Sequence, residues 1–331
     1  MTPSVRASAP GKLFLTGEWA VLRNAPALVA AIDRRAVVDV ALREGTGAVV
    51  VHSVAERSSI HLGPEAQLGG DAAAVAAVLQ FLRPQGGIEG EIIVDSCAFL
   101  AEEGKKLGLG RSAATLAAVS VAVLAAFGER ARERVLTTAL AANQLLQDGL
   151  GSGADVVAAI DGGIVEVRRW GEQLGVTART LPAGVEVVAA WTGTSAPTAA
   201  LLRRFEARMQ HRSEEAHHAM RELKMAAEDA ATAAARDDAP GFLHAADRAG
   251  RWIDELGLAL DLPLVTPALR RLTELARRPD VAAKPSGAGG GDCGIAFVRS
   301  PALAGAVRTA WRDAGFPPLD VSIDGKGATL G

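Results

Sequence analysis

Two kinds of apolar pattern alternate along the chain. Short segments rich in β-branched residues predict strands at Leu13–Leu15, Ala36–Leu42, Ala48–His52, Glu89–Val94, Ile164–Val167, Val185–Trp191, Cys293–Val298 and Leu319–Ile323. Longer segments with apolar residues every three or four positions predict helices. These are Ala72–Leu82, Glu129–Gln147, Ala199–Gln210, Ser213–Ala235, Gly241–Leu258, Thr266–Arg277 and Ala302–Ala314. Ala113–Phe127 is apolar for 15 residues. That is too long for a strand and short of the ~20 residues a membrane span needs, so it predicts a buried core helix. Ser112 stands just before it, where a hydroxyl can serve as N-cap. Strands followed by helices and then strands again indicate α/β or α+β layering. The polar stretch Arg168–Gly184, with Gly and Pro, reads as the passage between two domains, residues 1–180 and 181–331.

Composition removes several classes of function. At 331 residues with 49% hydrophobic side chains, the chain can bury a large core. A formal net charge of −3 gives no electrostatic footprint for nucleic acid. Cys97 and Cys293 are too few for a disulfide scaffold or a four-cysteine zinc site. The six His form no HxH or HExxH pattern, and adjacent His217 and His218 read as part of a solvated helix face. Met1–Phe14 lacks a continuous apolar run, so no signal peptide is expected. The expectation is a cytoplasmic protein, monomer or homodimer, without membrane or nucleic-acid partner.

The basic residues are unevenly divided: 6 Lys against 29 Arg, with no Tyr anywhere. Four of those Lys lie in or beside Gly-rich stretches. The first stretch is Ala9-Pro10-Gly11-Lys12, leading through Leu13–Leu15 to Thr16-Gly17-Glu18. The second runs from Lys105-Lys106 through Gly108-Leu109-Gly110-Arg111-Ser112 to Ala113-Ala114, and the third from Lys284 to Cys293. A glycine turn lets backbone N–H groups approach an anion closely, and a helix starting directly after it adds its positive end. The second stretch has both features, and a phosphate-bearing ligand is its natural guest. Gly108-x-Gly110-x-x-Ala113 also matches a dinucleotide fingerprint, but Lys105-Lys106 stand where that fingerprint needs a strand. No P-loop sequence occurs.

In order and spacing, the three stretches resemble the three signature motifs of the GHMP kinase superfamily. Ala9–Leu22 is similar to its P-G-K…G-E-(H/Y)-A-V motif, Gly108–Ala114 to G-L-G-S-S-A-A, and Lys284–Ala296 to the C-terminal motif. The resemblance implies a two-domain α+β fold, with a ribosomal-S5-like N-terminal domain and a ferredoxin-like C-terminal domain. Within the superfamily, Ser286–Ala296, Trp191–Thr198 and Gly151–Asp155 look most like the phosphomevalonate kinase branch. That implies ATP and Mg²⁺ as cofactors and 5-phosphomevalonate as the small-molecule partner. A related kinase on mevalonate or another small alcohol is the nearest alternative, and a non-catalytic binding protein on the same fold is another.

Carried over residue by residue, the resemblance makes Lys12 and Asp155 catalytic. It gives Lys105, Lys106, Gly108, Leu109, Gly110, Arg111, Ser112 and Ala113 to ATP, with Ser112 also near the metal. Lys12, Ser152, Gly153, Asp155, Ser286, Gly287 and Ala288 go to the acceptor. Plainer roles compete at some positions: a helix cap for Asp155, a loop charge for Lys284, a turn cap for Asp292 and core packing for Cys293. Two residues depart from the pattern. Arg111 replaces the first Ser of G-L-G-S-S, where it either strengthens phosphate binding or crowds the loop. Trp19 replaces His or Tyr, as an acceptor contact or as packing.

Overall fold

The computed structural model describes residues 4–331 apart from 64–67, 83–86, 172, 197 and 212. It opens with β1 (Val5–Thr16), β2 (Ala27–Glu44), β3 (Val49–Ser53) and β4 (Ser58–His61). Then come α1 (Gly70–Leu82), β5 (Ile88–Asp95), α2 (Arg111–Ala126), α3 (Arg132–Leu146), α4 (Ala154–Asp161), β6 (Ile164–Trp170) and β7 (Gln173–Arg179). The second half carries β8 (Glu186–Trp191), α5 (Thr198–Gln210), α6 (Glu214–Ala235), α7 (Ala239–Leu260) and α8 (Pro267–Ala276). β9 (Val281–Ser286), β10 (Cys293–Val298), α9 (Pro301–Asp313), β11 (Pro318–Leu319) and β12 (Thr329–Leu330) close it.

The first sheet has the order β12-β1-β2-β5-β3-β4, with β6 on β2 and β7 on β6. Its pairings are antiparallel except β3 with β5. β2 serves two neighbours on one edge, β6 along Ala27–Ala30 and β5 along Val37–Glu44. The apolar helix α2 lies in the core between this sheet and α1, α3 and α4. The second sheet, β11-β8-β10-β9, is antiparallel throughout. β10 is buried on both faces, which is why Cys293–Val298 reads as an unbroken apolar run. Ala296 and Val298 pack with Leu272 and Trp311 of α8 and α9. Cys293, Ile295 and Phe297 turn the other way, into a core shared with Phe242 of α7 and with Leu13 and Leu15 of β1.

Four readings of the sequence change. Ser112 is not an N-cap: Gly110 holds that position in left-handed conformation, and α2 begins at Arg111. Arg168–Gly184 is not mainly a passage, because the end of β6 and all of β7 lie in it. β7 escapes notice because it is an edge strand whose polar positions break the alternation. The strand expected at Leu319–Ile323 is reduced to Pro318–Leu319. The chain then crosses back to the first sheet, where Asp33 donates its N–H to Ser322 and Asp324 donates to Ala31. β9 was not foreseen, since Lys284 and Pro285 argue against a strand. It is an edge strand, where a missing N–H is tolerated.

Candidate active site

A cavity of about 600 Å³ opens where the three Gly-rich stretches meet. Its wall includes Lys12, Glu18 and Trp19 from the first, Lys106, Gly108 and Gly110–Ala113 from the second, and Gly287, Ala288 and Asp292 from the third. Gln147, Gly151, Ser152 and Asp155 complete one side.

Lys12 reaches this point through the local chemistry of β1. Pairing with β2 shifts register between Pro10 and Gly11, where Pro has no N–H to offer. Gly11 then passes so close to the second stretch that a Cβ there would lie 2.4 Å from the Leu109 carbonyl oxygen. The next residue donates its backbone N–H to that same carbonyl at 2.8 Å. The Lys12 side chain is 9% exposed, and its ammonium donates to the Gly108 carbonyl at 3.3 Å. Gly110 leaves room for it: with φ at 85°, a Cβ there would sit 2.6 Å from Lys12 Cγ. Among the described residues, neither Lys12 nor Lys106 forms an ion pair, so both charges are available to a guest.

Two helices start at the cavity wall. Gly110 leads into α2 and Gly153 into α4, both glycines left-handed and neither with a side chain to cap its helix. Side chains of Ser152 and Asp155 accept first-turn N–H groups of α4, so it is chiefly the first-turn N–H groups of α2, with the positive ends of both helices, that favour an anion in the cavity. Ser112 presents an exposed hydroxyl on the first turn of α2. Asp155 lies on the first turn of α4, not at its cap, and accepts the Val156 N–H at 3.0 Å. Ser152 accepts from the Ala154 N–H at 3.3 Å.

The third stretch is laced to Thr192–Ala196. Thr192 donates its N–H to the Asp292 carbonyl and Asp292 donates its own to Thr194, both at 2.8 Å. The Asp292 carboxylate accepts the Ala196 N–H at 3.0 Å, so it ties its turn to the neighbouring segment in place of capping that turn itself. Burial pushes its carboxyl pKa up, against the pull of that N–H, Lys12 and Lys106. Ser195 donates its hydroxyl to the Lys106 carbonyl at 3.0 Å, tying the segment to the second stretch. Pro197, also part of the motif, lies outside the described residues.

The remaining expected residues take other places. Lys105 is exposed, pairs with Glu103 at 2.6 Å and does not line the cavity. Leu109 is buried and contributes its carbonyl to Lys12. Ser286 is buried and donates to the Phe14 carbonyl at 2.9 Å, fixing β9 against β1 from outside the lining. Lys284 is no loop charge: it is fully buried in β9, ion-paired with Glu18 and donating to the Pro285 carbonyl at 2.7 Å. Burial pulls its pKa down although Glu18 opposes this. Cys293 is core, its thiol pushed up to about 12 by burial. Trp19 is 3% exposed and packs on Phe205 with ring centroids 4.4 Å apart, so its bulk belongs mainly to the core beneath the wall.

Arg111 lines the cavity, but its guanidinium is turned to Ser96, Glu56 and Asp71. Sequence reasoning missed both carboxylates. Each lies at least 40 positions upstream of Arg111 and in no motif, so no local pattern announces them.

Comparison with known proteins identifies the family. The family described as GHMP kinases C terminal matches residues 230–316. The chain is 32% identical to a phosphomevalonate kinase of Streptomyces sp. (strain CL190), over 95% of its own length and 96% of that protein. It is 30% identical to a mevalonate kinase of Aeropyrum pernix, over 90% of each chain. The structure of Streptococcus pneumoniae phosphomevalonate kinase in complex with phosphomevalonate and AMPPNP superposes with a TM-score of 0.77. That pair is 20% identical and covers 96% of this chain and 99% of the other. The chain therefore belongs to the GHMP kinase family. It is an enzyme of that family with the family's mixed α+β fold.

Proposed function

We propose that this chain transfers the γ-phosphoryl group of ATP to the phosphate of (R)-5-phosphomevalonate, giving 5-diphosphomevalonate and ADP. The observation that carries this is Lys12, a buried ammonium with no carboxylate ion pair among the described residues, sharing one cavity with the uncapped start of α2 and the first turn of α4. Such a site suits two anions that must be brought together. The names of the Streptomyces relative and the pneumococcal complex support phosphomevalonate as acceptor and ATP as donor.

The chemistry is positioning and charge neutralisation. A phosphomonoester has its second pKa near ~6, so it is mostly dianionic at neutral pH and its oxygen can attack without a base. That oxygen forms a bond to the γ-phosphorus as the bond to the β,γ-bridging oxygen breaks, and ADP leaves with the electron pair. Lys12 balances the charge of both phosphates. The first-turn N–H groups of α2 hold the donor, with Lys106 at the rim. Asp155 and Ser152 face the acceptor, with Asp155 orienting it or Lys12; Gly153, expected there too, is buried outside the lining.

Among the described residues no group of three or more His, Cys, Asp or Glu could hold a metal alone. The hard oxygens of Ser112 and Asp155 in the cavity wall fit a Mg²⁺ that arrives with the nucleotide, because this ion keeps few protein ligands. When bound, it neutralises phosphate charge.

Mevalonate is the second reading. It is favoured by Asp155, whose carboxylate makes no ion pair among the described residues and could take an alcohol proton. ADP release with 5-phosphomevalonate, mevalonate and a panel of small alcohols tests the proposal. It expects a kcat/KM for 5-phosphomevalonate at least tenfold above all others. Turnover of mevalonate alone, with strict dependence on Asp155, would give the second reading. No ADP with any acceptor would leave a non-catalytic binding protein.

A further inference from the structure

We infer that Arg111 is a positioning residue that fixes the start of α2, and is not a phosphate ligand. Its side chain is 11% exposed. Nε donates to Ser96 Oγ at 2.8 Å, and Nη2 reaches Glu56 Oε1 at 2.7 Å and Asp71 Oδ2 at 2.8 Å. Asp71 is 2% exposed and is itself saturated. It also accepts from Ser53 at 2.7 Å, Ser96 at 2.8 Å and Thr115 at 3.4 Å. One cation meets two carboxylates, so the cluster has no positive charge left to offer a nucleotide.

The partners explain what the cluster does. Glu56 sits in the turn between β3 and β4, Asp71 at the start of α1, Ser96 just after β5 and Thr115 on α2. Arg111 is the first residue of α2, directly after Gly110, which has a left-handed backbone and no side-chain cap. A helix entered through glycine has little of its own to set its direction. Arg111 straps that entry to three elements of the first sheet and its helix layer, which aims the first-turn N–H groups and Ser112 into the cavity. A planar fork with several donors can meet three acceptors at once, and a Lys ammonium at this position cannot reproduce that geometry.

The inference rests on the reading of this loop as the nucleotide site, and its test separates the two. Amide hydrogen exchange of residues 108–114 in the unliganded enzyme and calorimetric titration with ADP are measured for wild type, Arg111→Ser, Asp71→Asn and the double variant, with Tm as control. Each single variant is expected to speed exchange in the loop at least tenfold and to weaken ADP binding about tenfold. The double variant is expected to be no worse than either, because both singles break one link. Direct phosphate ligation makes the opposite prediction for Asp71→Asn: the freed guanidinium would tighten ADP binding, and that result would overturn the inference. Unchanged loop exchange with only a lower Tm would also overturn it. If Asp71→Asn does not fold, Glu56→Gln removes the more exposed carboxylate and is read in the same way. If wild type binds no ADP, the proposed function fails, and loop exchange still decides the role of Arg111.

Discussion

Lys12 and Lys284 are both buried, yet their electrostatic situations are opposite. Lys284 is matched by Glu18, whereas Lys12 forms no ion pair among the described residues: its ammonium meets the Gly108 carbonyl, lies 5.5 Å from the centre of the Phe14 ring and faces the cavity. Removing Lys12 should therefore cost chemistry more than stability. Lys12→Ala is expected to lower kcat by about 10²-fold or more, the scale for losing one preorganised charge-stabilising donor. Near-wild-type turnover at saturating substrates would remove Lys12 from the mechanism. Asp292 offers a prediction of a different kind. Its raised pKa means that folding disfavours its charged form. The penalty is full above the folded pKa, shrinks as pH falls below it and is gone below the unfolded carboxylate pKa of about 4. Asp292→Asn keeps an acceptor for the Ala196 N–H and tolerates the left-handed φ of 57°. It is expected to raise Tm slightly at pH 7.5, with no gain near pH 4; a lower Tm at pH 7.5 would contradict this. At this scale the sequence was legible where motifs are contiguous: Lys12, the Gly108–Ala113 loop and Asp155 all reach one cavity. It was illegible where a charge is answered from afar, as Arg111 is by Glu56, 55 residues upstream.

The elements around the cavity depend on glycines that permit close approach. Gly11 meets the Leu109 carbonyl oxygen and the Phe99 ring, neither of which can easily yield. Gly11→Ala is expected to destabilise the fold by about 1–3 kcal/mol, the usual cost of overpacking, read as a lower urea midpoint. Gly110 differs, since its added methyl would strike the flexible Lys12 side chain and strain the left-handed entry to α2. The longer helices were legible because three-and-four spacing is strong over many residues, and β10 because it is apolar throughout; α4, only eight residues long, was not. Edge strands were not. β7 is half-solvated, and β9 carries Lys284 and Pro285, tolerable only because Glu18 answers the charge and the edge excuses the proline.

At the scale of the whole molecule, the cavity exists because two sheets share a core. Leu13 and Leu15 of the first sheet pack with Ile295 and Phe297 of the second. Glu18–Lys284 is the polar counterpart of that seam, joining the loop after β1 to β9. Breaking a buried pair from one side leaves an unanswered charge and costs about 3–5 kcal/mol. Glu18→Ala is expected to destabilise by that amount in urea unfolding. Glu18→Gln with Lys284→Met should recover most of it; no recovery would mean that the pair matters for more than its charges. The layering of strands and helices was legible in the sequence. The return of the C-terminus to β1 and β2 was not, because Ser322–Leu330 makes that crossing with only two short pairings and little apolar pattern. All these parts serve one claim, that the cavity joins a phosphate to a phosphate. Phosphorus NMR of the enzyme with ATP and 5-phosphomevalonate tests it most directly. The account predicts loss of the phosphomonoester singlet and growth of a coupled diphosphate pair in step with ADP. A persistent phosphomonoester singlet, with a new phosphomonoester formed only when mevalonate is supplied, would contradict it.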